Sequence, residues 1–277
     1  MFSRIYVEIT NKCNRACSFC PGVKRSPSEM SERDFLHILS ELTGVTEYVY
    51  YHVMGEPLTH PLLPRFISLA RENGFRSVVT TNGTLLRERG DELIVSGIYK
   101  INISLHSFEN LSYREYLEYM SDCLDFADKA SSRGILVILR LWNRGFDEGR
   151  NIDTLELIKS RFGTDSWTDD SRGARVRHKL HLEYGERFNW PSTDAEDMGD
   201  DLFCYALRDH AAILCDGTVI PCCLDSEGNI ALGNVFSSSL KEILSSDRAR
   251  ALVNGFNNKK ATEELCRRCG YARRFSK

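Results

Sequence analysis

Long apolar runs are missing from this 277-residue chain. None is long enough to span a bilayer, so no membrane-crossing helix is expected. The opening MFSRIYVEI lacks the basic and extended apolar regions of a secretory signal. An excess of one charge is missing too. Lys and Arg number 36 against 39 Asp and Glu, a net charge of −3 that argues neither for nor against nucleic acid. No internal repeat or low-complexity segment stands out, which removes repeat architectures. What remains is an ordinary globular composition, 42% hydrophobic and 27% charged. At this length it can bury a large core, read as one main domain and a smaller one.

Cysteine is the abundant exception, with ten residues. Clustered at short spacings and without a secretory signal, they read as metal ligands in a reducing cytoplasm, not as disulfides. Cys13, Cys17 and Cys20 fall in EITNKCNRACSFCPG, a C-x3-C-x2-C spacing. Three thiolates on one loop can hold three irons of a cubane cluster and leave the fourth iron open. The spacing differs from the fully ligated ferredoxin run and from paired zinc knuckles. Cys204, Cys222, Cys266 and Cys269 form a second set, with intervals of x17, x43 and x2. CxxC pairs also bind zinc well, so a structural zinc site is the alternative there. Cys215 and Cys223 complicate the second set. Neighbours 222 and 223 point to opposite sides if they share a strand, so only one can face a metal. Cys123 falls in a long helical stretch and reads as a small buried apolar residue.

Strand-like and helix-like stretches alternate from Ile5 to about Tyr184, which argues for an α/β fold with parallel strands. Strands are expected at Ile5–Ile9, TEYVYYHVM, RSVVTT, YKINISLHS, ILVILRLW and HKLHLEY. Ser31, with Asp34 three residues on, caps a helix to about Leu42. Further helices are expected over Pro64–Asn73, up to Ser96, over Tyr113–Ser132 and from Asp153 or Thr154 to Phe162. Six βα units are too few for a closed eightfold barrel, and a partial (β/α)6 TIM-like barrel fits. Acidic, polar Pro191–Asp201 reads as a linker. Domains are therefore expected at 1–190 and 191–277. Beyond the linker come a hairpin around Asp216-Gly217 and a helix near Leu240–Leu252.

The three-Cys loop, with Phe19 just before its third Cys, resembles the CxxxCxφC signature of the radical S-adenosylmethionine (SAM) superfamily. Gly55-Glu56-Pro57 after the second strand resembles that family's GGE motif, with Met54 in place of the first Gly. The four-Cys set, and the C-x12-G-x4-C run of Cys204, Gly217 and Cys222, resemble the auxiliary-cluster region of its SPASM and twitch subgroups. That run selects Cys222 over Cys223. The fuller SPASM cysteine run is absent, so one auxiliary [4Fe–4S] cluster with four protein ligands is expected.

The resemblance implies reductive cleavage of SAM to a 5′-deoxyadenosyl radical that abstracts hydrogen from a substrate C–H bond. It implies a cytoplasmic oxidoreductase-type enzyme with two [4Fe–4S] clusters and a flavodoxin- or ferredoxin-type electron donor. Phe19, Gly55, Glu56 and Asn82 would position SAM. Ser104 or His106 would meet its ribose and Arg140 its carboxylate, although Arg140 could equally form a structural salt bridge. His106, Trp142 and Asn143, at strand ends, are candidates for facing substrate or carrying catalysis. The substrate expected is a small polar metabolite, because only twelve residues precede Cys13 and leave no room for a peptide-recognition domain. Peptide or protein maturation is the second class. RNA modification is a third, suggested by Arg172–Lys179 and by Arg267, Arg268, Arg273 and Arg274, though such runs are usually solvated faces. A non-catalytic iron–sulfur or zinc protein is the last.

Overall fold

Two-residue alternation builds the sheet. In the first strand, Ile5 and Val7 are fully buried, while Arg4 and Tyr6, which alternate with them, are half-buried. One face therefore packs against helices and the other faces a polar interior. The computed structural model describes residues 1–108, 111–147 and 149–275. In chain order its elements begin with β1 (Arg4–Val7), α1 (Glu32–Leu42), β2 (Tyr48–Tyr50) and α2 (Leu63–Glu72). Then come β3 (Arg76–Thr81), α3 (Leu86–Ser96), β4 (Lys100–Ser104), α4 (Tyr113–Ser132), β5 (Leu136–Arg144) and α5 (Arg150–Phe162). The strands β6 (Thr168–Asp170), β7 (Gly173–Arg177), β8 (Leu180–Glu186), β9 (His210–Ile213), β10 (Thr218–Ile220) and β11 (Gly233–Asn234) follow. Three short helices close the chain: α6 (Leu240–Leu244), α7 (Asp247–Asn257) and α8 (Glu264–Arg267).

All the strands belong to one sheet, ordered β11-β10-β9-β1-β2-β3-β4-β5-β8-β7-β6. Pairing is parallel from β9 through β1 to β5 and β8. This is the parallel α/β sheet of a partial barrel. On its helix side, Val49, Val79, Ile101, Ile103, Val137 and Leu139 are fully buried. Phe35 of α1 stacks on Phe66 of α2 with centroids 4.3 Å apart. Local chemistry sets the helix ends. Ser31 accepts from Asp34 N, Ser112 and Glu115 form a capping box, and left-handed Gly97 stops α3.

Several elements depart from the sequence expectation. β2 is three residues long, because the chain leaves the sheet at Tyr51 to make the GEP turn. The helix expected near 240–252 is two helices, since Ser246 caps a new start. RGARVRHK contains β7, which pairs antiparallel with β8. There Arg177 is tied to the Asp128 carboxylate and to Ser131 Oγ, so its charge is not a free surface feature. The segment 191–201 is pinned at its end: Met198 N donates to Arg267 O at 3.1 Å and Ala261 N to Asp200 O at 2.7 Å.

Candidate active site

The three-Cys loop follows β1, over the carboxyl ends of the strands, where α/β barrels place their chemistry. Its backbone is clamped onto the GEP turn. Glu56 N donates to Lys12 O at 2.8 Å. Gly55 has φ +77°, and a Cβ there would lie 2.5 Å from Thr10 O and 2.8 Å from Lys12 O. Only glycine permits this approach. Cys13 and Cys20 are exposed and Cys17 is half-buried.

Glu56 is buried. Its Oε1 accepts from Thr81 Oγ1 at 2.8 Å and Leu58 N at 3.0 Å, and its Oε2 accepts from Asn82 N at 2.6 Å. Burial pushes its carboxyl up to about 7, against the pull of the Asn82, Leu58 and Thr81 hydrogen bonds. Asn82 in turn donates from Nδ2 to Asn14 Oδ1 at 2.9 Å, on the loop beside Cys13. GEP, Asn82-Gly83 and the thiol loop thus form one hydrogen-bonded unit. Cys123 packs under it, 2.7 Å from where a Gly83 Cβ would stand.

Phe19 closes the loop over the sheet. Its ring lies 5.1 Å from that of His106, and the Arg187 guanidinium sits 5.2 Å from its centroid. His106 occupies a 3-10 turn after β4, with Nδ1 3.1 Å from Arg140 O and 3.3 Å from Trp142 N. Ser104 ends β4, level with Arg140 on β5 and Glu183 on β8. Arg140 stacks over Trp142 at 4.8 Å and faces Glu183 Oε2 at 3.5 Å. Asn143 does not join this group. It lies buried on the opposite side, where its Oδ1 accepts from Asn151 of α5 at 3.0 Å.

Beneath these residues the polar face holds side chains that the sequence reading passed over. Tyr6 packs edge-on against Tyr50 and His52, both at 5.2 Å, and His210 at 5.9 Å. Asn102 Nδ2 donates to Thr80 Oγ1 at 3.0 Å. Arg4 Nε, His52 Nδ1, Asn102 Oδ1, Arg140 Nε, Trp142 Nε1 and His210 Nδ1 are buried atoms without a hydrogen-bond partner. Such a concentration is unusual in a packed interior. The signal in the sequence was polar residues alternating with apolar ones, as in RIYVE and KINIS. A surface cavity of about 390 Å³ at Arg71, Arg76, Tyr99 and Arg133 lies at the amino ends of β3 to β5, away from the thiol loop.

The second thiol set converges. Burial raises Cys222 well above its ordinary range, and the nearby thiols of Cys223, Cys204, Cys266 and Cys269 add to the rise. Cys266 and Cys269 bracket the end of α8, with Cys269 N donating to Cys266 O. Cys223 has a further set of neighbours. Tyr6 hydrogen-bonds its thiol, and it packs with Val53, Met54 and Trp190. Two contacts join the two thiol sets mechanically. Arg25, from the segment after the three-Cys loop, donates to Ser226 O at 2.9 Å, and Lys24 N donates to Glu227 at 3.0 Å. Arg25 also pairs with fully buried Glu8 at 2.8 Å.

None of the ten cysteines is in a disulfide. Among the described residues no group of three or more His, Cys, Asp or Glu is gathered tightly enough for a single metal ion. Ligands of a cubane each bind a different iron and stand further apart than the four sulfurs around one zinc, each about 2.3 Å from it. Converging thiols in a buried place, deprotonated on binding, fit such a cluster.

A radical SAM superfamily model matches residues 7–162, and an iron–sulfur cluster-binding SPASM domain model matches residues 204–270. The chain belongs to the radical SAM superfamily. Its radical SAM domain implies a [4Fe–4S] cluster and SAM, and its SPASM domain implies auxiliary iron–sulfur binding. It is similar to a GTP 3′,8-cyclase of Chlorobaculum tepidum, 28% identical over 44% of this chain and 39% of that protein. The chain thus spans well under half of that relative's length. It is similar along nearly its whole length to the S-adenosyl-L-methionine-dependent 2-deoxy-scyllo-inosamine dehydrogenase of Niallia circulans, 22% identical over 97% of this chain and 93% of the relative. Among solved structures, BtrN in complex with AdoMet and 2-DOIA superposes with a TM-score of 0.62 at 20% identity, covering 97% and 93% of the two chains. That superposition concerns the fold. No helix among the described residues is long and apolar enough to cross a membrane.

Proposed function

We propose that this enzyme oxidises or rearranges a small polar metabolite at the polar face beneath the three-Cys loop. The observation that carries the reading is the joining of that loop, through Arg25 and Ser226, to the region of the second thiol set. Cys13, Cys17 and Cys20 would hold the first cluster, and Cys204, Cys222, Cys266 and Cys269 one auxiliary cluster. When bound, the first cluster and SAM supply one-electron cleavage and a radical able to take hydrogen from a C–H bond. Phe19, packed on His106, would fix the end of the loop that carries Cys20 against the strand ends. Glu56 and Asn82 hold the loop's backbone in register, and Gly55 lets the turn approach it. Ser104 and Arg140 stand level across adjacent strands, placed for ribose and carboxylate contacts. Trp142 presents an unpartnered Nε1 to whatever enters, and His106 stands where a substrate proton could be accepted.

The near full-length similarity to a dehydrogenase supports oxidation of a small molecule. A flavodoxin- or ferredoxin-type donor in the cytoplasm would supply the electron. The test is anaerobic reconstitution, which should give about eight irons per chain, followed by reduction with SAM. Deuterium should pass from a small-metabolite pool into 5′-deoxyadenosine. Transfer from a peptide pool alone, or from no pool, overturns the reading.

A further inference from the structure

The charge on the polar face does not balance. Arg4 and Lys100, the first residues of β1 and β4, share the helix-averted face with Arg140, which lies four residues along β5 from the level of Lys100. Two carboxylates share that face, and each already has a partner. Glu183 faces Arg140 at 3.5 Å, and Glu8 pairs with Arg25 at 2.8 Å. Arg4 and Lys100 make no ion pair among the described residues. Arg4 instead rests over the rings of Tyr50 at 5.7 Å and Tyr6 at 6.0 Å, and its buried Nε has no acceptor.

The three cations come from strands set apart in the sheet, yet they act on one another. Burial lowers the Lys100 ammonium, the Arg140 and Arg4 charges add to the drop, and Glu183, already facing Arg140, works against it. Burial, with Arg140 and Arg4, holds His52 neutral, down to about 3. Burial, with Arg4, holds His210 down to about 4. With Arg140 matched to Glu183 and Arg25 to Glu8, this face carries two positive charges more than its carboxylates, and Arg4 adds an unpartnered buried Nε. A partly buried cation without a counter-charge is costly, and surplus donors call for acceptors.

We propose that the substrate enters this polar face with an anionic group, a carboxylate or a phosphate, held between Arg4 and Lys100. This rests on the proposed function, because it assigns a chemical class to the substrate of that same site. A free amine would instead add a third unmatched positive charge.

The test is calorimetric titration of the full chain, anaerobically reconstituted and saturated with SAM so that the cofactor's own carboxylate is already accommodated. The probes are inorganic phosphate, succinate and 2-deoxy-scyllo-inosamine. At least one anion should bind at one site per chain, and which of them binds tighter tells phosphate from carboxylate. Arg4→Gln and Lys100→Gln should each weaken that binding at least tenfold. Arg4→Lys should retain most of it, and Arg65→Gln, a substitution on the exposed face of α2, should leave it unchanged. If Arg4→Gln fails to fold, Lys100→Gln and Arg4→Lys still decide. The proposal is overturned if neither anion binds, if binding survives both neutral substitutions, or if the inosamine binds more tightly than either anion. Reductive 5′-deoxyadenosine formation, measured on the same preparations, separates the two readings. Normal SAM cleavage without anion binding sinks this inference alone, whereas loss of cleavage sinks the proposed function.

Discussion

Replacing Gly55 by alanine puts the largest demand on the site for the smallest chemical change. The added Cβ would lie 2.5 Å from Thr10 O, 2.8 Å from Lys12 O and 2.9 Å from Asn11 C. All three are backbone atoms, so no side chain can swing aside. Alanine at φ +77° costs about 1–2 kcal/mol by itself. Forcing the loop away loses the hydrogen bond from Glu56 N to Lys12 O, worth about 1 kcal/mol. Displacing packed backbone adds about 1–3 kcal/mol. The sum, about 3–6 kcal/mol, falls on the backbone that carries Cys13. The expected result is a protein that loses the iron of the first cluster, keeps that of the second, and forms 5′-deoxyadenosine at least tenfold more slowly. Gly44→Ala is the control. It has φ +74° but open space around the new Cβ, so only the conformational cost applies. Iron analysis and single-turnover SAM cleavage under dithionite read the outcome. Full iron and unchanged cleavage in Gly55→Ala would refute the close-approach argument.

Other perturbations follow from the same contacts. Glu56 has its folded-state carboxyl raised from 4.5 to about 7, so the folded chain binds the extra proton between those values. Its stabilisation is present below pH 4.5 and is lost as pH rises through 7, by about 3 kcal/mol. Glu56→Gln should flatten that part of the Tm-against-pH curve, and parallel curves would show the carboxyl is not so perturbed. Single serine replacements of Cys204, Cys222, Cys266 or Cys269 should each lower iron by about half, while Cys223→Ser should leave it intact. Iron kept in Cys222→Ser but halved in Cys223→Ser would reverse the assignment of the neighbouring pair, and equal losses in all five would refute it. Glu8→Gln removes the buried charge partner of Arg25 and leaves it its bond to Ser226 O, at a cost of about 1.5–3 kcal/mol and a Tm lower by several degrees. An unchanged Tm would mean that Arg25 finds water instead.

Much of this was legible in the residues, and the reasons are local. RSVVTT and Tyr113–Ser132 form the elements expected of them, because β-branched density and a Ser/Glu cap decide them without tertiary help. The alternation expected of Cys222 and Cys223 does not apply, because the pair sits in a turn just past β10 and not in a strand. The β6–β7 hairpin escaped notice, because its residues are polar and its partner strand lies later in the chain. Asn143 looked like a site residue because it ends a strand, yet one step of alternation turns it toward α5. The polar lining of Arg4, His52, Lys100 and His210 was hidden for a similar reason. Each is unremarkable alone, and only the curl of the sheet brings them together.

The pairing of β9 with β1 bears on how the molecule is made. Arg4 and His210 are register partners although 206 residues separate them. Until the ribosome has released that distant stretch, the opening strand keeps one side bare, an inviting template for a neighbouring chain. Assembly that waits on so remote a partner is slow. A shortened gene product ending before His210 would therefore be prone to stick to its own kind long before any question of chemistry arose.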